Sequence, residues 1–383
     1  MRVACRWLKR LGIMLLVFAA ALVLLAVVTP PGRAAAKTAG LVLQVVPNFP
    51  VKPLPLFTGE PERTPITYPS GVGEIEADVY RIPDGKPRAA VVLFLGVNPA
   101  GRDDERVVSL GEALARSGFV VLVPWSANMV SRRVDPADVD LLVGAFEYLQ
   151  ALPYVDPDRI GGGGFCVGSS MLLLAAADER VRDDVAFLNV FSGYYDASDF
   201  LVQFAASESF YAGARETWEP DSLTASVFTR LLIDGVADPV ERDALEAHFV
   251  DDGAMHEATR EVMSTEADAV YRLLSGPTLE EARALVERLP VSVREAMHAL
   301  SPRNVIDDVS ARLLIMHDRE DALAPVEESR RLRDAVAARD DTRYTEFSFF
   351  SHVDPGERVG TLTLLGESFR LFRHLYSIVR VAS

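Results

Sequence analysis

The sequence predicts an α/β protein: a mostly parallel sheet wrapped by helices, with a helical lid inserted late in the chain. Three observations carry this. Runs such as Ala89–Leu95 and Phe119–Val123 are apolar throughout, as strands buried on both faces must be. Helix signals alternate with such runs, Asp135 and Pro136 opening one helix as N-cap and first-turn proline. The alternation stops between Asp199 and Leu300, where only helix patterns are read, and resumes at Arg312–Met316.

Taken in order, the chain opens with a basic flank, Arg2–Arg10, and an uncharged run from Leu11 to Val28. That run is just long enough to cross a bilayer. It predicts a single-pass anchor in the cell membrane, with the positive flank cytoplasmic and the remainder outside. Cleavage near Ala34-Ala35-Ala36, giving a secreted protein, is the rival reading. The division expected is residues 1–36 as flank plus anchor or signal peptide, and 37–63 as a stiff Pro-rich connector. Residues 64–200 and 300–383 form the α/β core, and 201–299 the helical lid.

Within the core, Ile75, Ala77 and Val79 alternate with charged or polar neighbours, as in a half-exposed strand. Ala89–Leu95 ends in a Gly96–Gly101 loop, followed by a helix from about Arg106 to Ser117. A strand begins at Ile160 and another spans Val185–Phe191. In the lid, Asp238-Pro239 starts a helix, and Thr278–Glu281 and Ser292–Glu295 read as capping boxes. A helix over Val326–Ala338, a strand over Tyr344–Phe349 and an amphipathic helix over Thr361–Val379 complete the core.

Composition narrows the function. The net charge is −16, yet residues 1–40 hold six basic side chains and no acid, leaving 33 basic against 55 acidic beyond them. That balance excludes nucleic acid as a partner of the folded part. Two cysteines, Cys5 and Cys166, permit no disulfide framework. No histidine pair has ligand spacing, so neither metal nor cofactor is expected. The partner expected is a small molecule, with the membrane reached only through the N-terminal run; the oligomeric state is not legible.

The chain is organised around Gly164-Phe165-Cys166-Val167-Gly168, between the strand from Ile160 and an apolar helix. Glycine two residues to either side of Cys166 removes the side chains that a tight strand-to-helix turn would drive into backbone. Cysteine then stands at a helix N-terminus, whose amides and dipole favour a thiolate. A thiol of lowered pKa, partly ionised at neutral pH, is therefore expected. A dinucleotide loop is the alternative for so glycine-rich a stretch, but the glycines are out of register for it.

Downstream, Asp321 follows one strand and precedes Pro325, and His352 follows the last strand. Nucleophile, acid, histidine is the order of the α/β-hydrolase triad. The chain resembles the α/β-hydrolases. Gly-x-Cys-x-Gly, Asp-x-x-x-Pro and the late Ser351-His352 resemble most the dienelactone hydrolase family, over 64–200 and 300–383. The resemblance implies a hydrolase of a carboxylic ester, thioester or lactone. Cys166 would attack a carbonyl, His352 would move the proton, and Asp321 would orient the imidazole. The amides of Val97 and Val167 would hold the oxyanion. Family members carry a glutamate in the loop after the strand equivalent to Val91–Leu95. Here Gly96-Val97-Asn98-Pro99 holds no acid before Asp103, which points away from dienelactone itself.

Other candidates are weaker. Asp318 lacks the spacing to Pro325, and His317 reads as structural. His248, His256 and His298 fall in lid helices and His374 on the last helix. Ser169 and Ser170 lie beyond the turn, inside the helix. Arg132 and Arg133 are candidates for an acidic substrate group. The rival function is a non-catalytic protein of this fold that binds a lipid or partner under its lid. Acyl transfer is not separable from hydrolysis by sequence.

Overall fold

A computed structural model of the chain describes residue 14 and residues 28–45, 52–251, 253–348 and 361–382. The frame is an eight-stranded sheet of β1 (Glu62–Ser70), β2 (Gly73–Arg81), β3 (Arg88–Phe94), β4 (Val120–Pro124), β5 (Val155–Phe165), β6 (Val185–Phe191), β9 (Arg312–Asp318) and β10 (Arg343–Phe347). Their order is β1-β2-β4-β3-β5-β6-β9-β10. Strand β2 runs antiparallel to both its neighbours, and the pairs from β4 to β10 are parallel. The central strands β3 and β4 are buried almost throughout, in keeping with their unbroken apolar sequence.

Helices cover both faces. On one, α3 (Asp138–Gln150), α4 (Val167–Ala176) and α12 (Val326–Ala335) pack into the larger core with Leu142, Phe146, Leu172 and Leu332. On the other lie α2 (Glu105–Ser117) and α13 (Thr361–Val379), with Val107, Ala115 and Ile378. Asp104 caps α2 by accepting from the Arg106 amide, and Gly118 ends it at φ +112°. The expected cap at Asp135 is displaced by one turn. Asp135 accepts from the Ala137 amide before the helix, while Asp138, the first helical residue, is drawn inward by Ser126 (2.6 Å) and Asn128 (3.2 Å).

The N-terminal expectation needs correcting. Among the described residues no helix is long and apolar enough to cross a membrane, so neither the anchor nor the placement built on it stands. Nearly all of the 11–28 run lies outside the described residues. The segment after it is helical: α1 (Pro30–Val45). Ala34, Thr38, Leu41 and Val42 fall at helical spacing and are buried, against Leu54 and Val379 on one side and Phe347 and Leu371 on the other. Gln44 adds a hydrogen bond to Ser109 of α2 (2.9 Å). Residues 37–45 are thus part of the packed body, and Ala34-Ala35-Ala36 sits within a helix.

Between β6 and β9 the chain makes α5 (Ala197–Ala206), the hairpin β7 (Glu208–Tyr211) and β8 (Ala214–Thr217), and then six helices. These are α6 (Ser222–Asp234), α7 (Pro239–Phe249), α8 (Glu257–Glu261), α9 (Thr265–Leu274), α10 (Leu279–Val286) and α11 (Val291–Ala299). Asp238 caps α7, and the Thr278–Glu281 box is present with both of its hydrogen bonds. The hairpin was not expected. Its two-residue loop, Ala212-Gly213, has φ of 50° and 85°, the geometry that matches strand twist in tight hairpins. The Ser292 box is absent, because α11 starts from Pro290 and Ser292 donates instead to the Gly235 carbonyl (3.2 Å).

Candidate active site

Connections from β3 lead toward β4 and those from β5 toward β6, so the chain diverges above the C-terminal ends of β3 and β5. Open α/β sheets bind ligands at such a switch point. Gly96 follows β3 there, and Cys166 follows β5. Cys166 has φ 49° and ψ −131°, a strained conformation for a residue with a Cβ, and its amide donates to the Phe191 carbonyl (2.9 Å). A Cβ on Gly168 would lie 2.5 Å from both the Gly96 nitrogen and the Phe94 oxygen, and one on Gly164 2.7 Å from the Ser169 backbone. Backbone meets backbone at both places, and only glycine fits.

The sheet order, the single reversed strand and this turn decide the matter. The chain has the α/β-hydrolase fold.

A scan of protein-family models finds no match. Among curated proteins, the chain is 31% identical over 102 residues to a probable 2-oxo-3-(5-oxofuran-2-ylidene)propanoate lactonase of Bradyrhizobium sp. The match covers 24% of this chain and 40% of that protein, less than half its length. An esterase of Pyrobaculum calidifontis is 14% identical, with 95% of this chain and 97% of that one covered, at a TM-score of 0.46. A 2,6-dihydroxy-pseudo-oxynicotine hydrolase is 15% identical, with 86% and 70% covered, at 0.47. At such levels the solved structures carry no argument about activity.

In this fold Cys166 occupies the floor of an apolar cavity of ≈ 110 Å³. The core contributes Leu95, Val97, Phe165, Val167 and Leu323, and the insertion contributes side chains of α5, α6 and α11. No backbone acceptor among the described residues takes the amide of Val97 or of Val167. The Val167 amide instead acts on the Cys166 sulfur. The loop carrying Val97 is pinned from behind: Arg102 grips Asp78 with two hydrogen bonds (2.9 and 2.8 Å), and Arg63 and Trp125 bind the same carboxylate. Asp103, the first acid after the loop, pairs with Arg63.

Asp321 is held by its own turn. Its Oδ1 accepts from the amides of Leu323 (2.7 Å) and Ala324 (3.3 Å), and its charge reaches the Cys166 thiol. Asp318, its rival, instead accepts from the Glu320 amide (3.1 Å). His352 lies outside the described residues. The carbonyls of Asp321, Ala322 and Leu323 accept in turn from the Trp218 indole (2.9 Å), the Asp221 amide (2.7 Å) and the Thr224 hydroxyl (2.8 Å). The insertion is thereby latched to the acid-bearing turn.

The other histidines are accounted for elsewhere. His317 is fully buried, with Nε2 donating to the Ala324 carbonyl (3.0 Å) and Nδ1 accepting from Ser329 (2.7 Å). Burial keeps it neutral by lowering its pKa. His374 sits between Thr345 and Asn189, its pKa lowered to about 3 by burial and then by Arg343 and Arg312. His248 binds the Gly253 carbonyl, and neither it, His256 nor His298 lines the cavity. Arg133 pairs with Asp234 (2.9 Å), and neither it nor Arg132 reaches the cavity.

Two findings were not foreseen. Tyr194, 4% exposed, lines the cavity, and its hydroxyl has no hydrogen-bond partner among the described residues. The adjacent Tyr194-Tyr195 pair after β6 was the available signal. The second is a correction: the thiol pKa is not lowered. Burial pushes Cys166 up to about 12, the Asp321 charge adds to this, and the Val167 amide offsets only part of it. A helix N-terminus is outweighed here by apolar walls and a nearby carboxylate. Alkylation of Cys166 by iodoacetamide, measured by peptide mass mapping, should therefore rise about tenfold per pH unit from 7 to 10. A plateau below pH 8 would show that an unforeseen cation stabilises the thiolate.

Ser169 and Ser170 are staples. Ser169 Oγ donates to the Phe191 carbonyl (2.9 Å) and accepts its amide (3.1 Å), and Ser170 does the same for Tyr194 (both 2.9 Å). Ser169→Ala removes both hydrogen bonds of the staple while the Phe191 carbonyl keeps that from the Cys166 amide, so chemical denaturation should show a loss of about 1–3 kcal/mol. A change within 0.3 kcal/mol or so would refute the role.

Proposed function

We propose that the protein hydrolyses a carboxylic ester, thioester or lactone through Cys166, His352 and Asp321. The observation that carries this is the strained Cys166 at a helix start, facing a cavity beside two amides without backbone acceptors. The partial similarity to a lactonase adds support for an ester-type bond.

In this reading His352 accepts the thiol proton as sulfur attacks the carbonyl carbon. The carbonyl π pair moves to oxygen, where the amides of Val97 and Val167 bind it. Collapse expels the alkoxide, which takes the proton from His352, and leaves an S-acyl cysteine. Water, deprotonated by the same imidazole, cleaves the thioester and restores the thiol. A base is indispensable with a thiol pKa near 12, and it must act in concert with attack. The insertion closes the site as a lid.

One observation favours the second reading, a non-catalytic binder: a thiol so strongly protonated is a poor nucleophile. The cavity, at ≈ 110 Å³, weighs against a long-chain lipid as its occupant. Acid-quenched mass spectrometry during turnover of p-nitrophenyl butyrate separates the readings. The hydrolase reading expects a butyryl mass on the peptide carrying Cys166, and its absence in a turning-over enzyme would refute the acyl-enzyme.

A further inference from the structure

We infer that the cavity at Cys166 takes the small, uncharged, apolar acyl group of its substrate and turns away acyl groups that bear a carboxylate. This rests on the hydrolase reading above and specifies its substrate class. Among the described residues, no Asp, Glu, Lys, Arg or His lines the cavity. Its walls are hydrocarbon, chiefly Phe200, Val227, Phe228, Leu231 and Met297 from the insertion. Its polar side-chain atoms are the thiol of Cys166 and the hydroxyls of Tyr194 and Thr224, and the last is committed to the Leu323 carbonyl.

A carboxylate entering this space would shed its water with no cation among the described lining residues to meet it, which apolar surroundings penalise heavily. The negative charge of Asp321, already felt at the thiol, would oppose it further. Arg133, the nearest thing to an expected counter-ion, is engaged with Asp234 outside the cavity. Size sets the other limit. Apolar cavities of about 150 Å³ accept a benzene ring. At ≈ 110 Å³ this one has room for a butyryl-sized group and is too small to enclose a long chain.

The test compares p-nitrophenyl butyrate with p-nitrophenyl hemisuccinate, similar in size and differing by a carboxylate, using the full chain with Cys166→Ala as control. The neutral ester should be preferred at least about 100-fold in kcat/KM, equivalent to about 2.8 kcal/mol. Val227→Arg, which places a guanidinium in the wall at a half-buried position, should raise hemisuccinate turnover about tenfold and lower that of butyrate. Leu231→Ala should move the optimum from butyrate toward octanoate. Comparable, Cys166-dependent turnover of both esters by the unaltered chain would overturn the inference and spare the hydrolase. No turnover of any ester would overturn the hydrolase reading itself, and this inference with it.

Discussion

Cys166→Ala abolishes ester turnover, a loss of at least about 10⁴-fold, if the site works as proposed. Deleting the nucleophile leaves only binding and the two oxyanion amides, which act on no covalent intermediate. The deletion costs little stability, because the side chain is small and borders a cavity. Cys166→Ser retains a trace, since the alkoxide is a worse leaving group than a thiolate and needs stronger base assistance. The neighbouring serines cannot substitute, each being buried with its hydroxyl bonded to backbone at both donor and acceptor sides. Steady-state kinetics on p-nitrophenyl butyrate measures this directly. Undiminished turnover in Cys166→Ala would remove the mechanism and leave the binding reading.

Gly168→Ala should be the most damaging substitution that touches no reacting atom. Its Cβ would stand 2.5 Å from Phe94 O and Gly96 N, so strand β3 and its loop must move away from the turn. Overpacking of this kind costs about 1–3 kcal/mol of stability. On the proposed mechanism the same shift carries off the Val97 amide, and losing one oxyanion donor costs about 2.7–4 kcal/mol in the transition state. Activity should therefore fall by about 10²–10³ while KM changes little. Gly163→Ala is the control: its nearest neighbour would be Val91 Cγ2 at 3.7 Å, an ordinary contact. If Gly163→Ala were as harmful as Gly168→Ala, backbone approach would not explain these glycines.

Most of the frame was legible because it depends on local pattern. Val185–Phe191 and Thr361–Val379 have the expected bounds, and the spacing of Gly164 and Gly168 reflects steric needs confined to one turn. The features that misled the reading are non-local. Pro30–Val45 looks like the end of an apolar run followed by a connector, and its amphipathic stripe acquires meaning only against α2 and α13. The Ala212-Gly213 turn is too short to break a helical pattern on composition alone. For Cys166, the helix start was visible, but its apolar surroundings were not. Phe200, Phe228 and Met297 come from the distant insertion, and their desolvation of the thiol outweighs what the turn supplies.

The latch between the insertion and the acid-bearing turn constrains how such a protein can change over evolutionary time. Trp218, Asp221 and Thr224 bind three successive carbonyls, those of Asp321, Ala322 and Leu323. The segment that shapes the pocket therefore also sets the backbone on which Asp321 stands. Exchanging it by recombination for the insertion of a distant homologue would alter pocket and acid together. Viable chimaeras should keep the 218–224 stretch with the 321–324 turn as a single inherited unit, and vary beyond it.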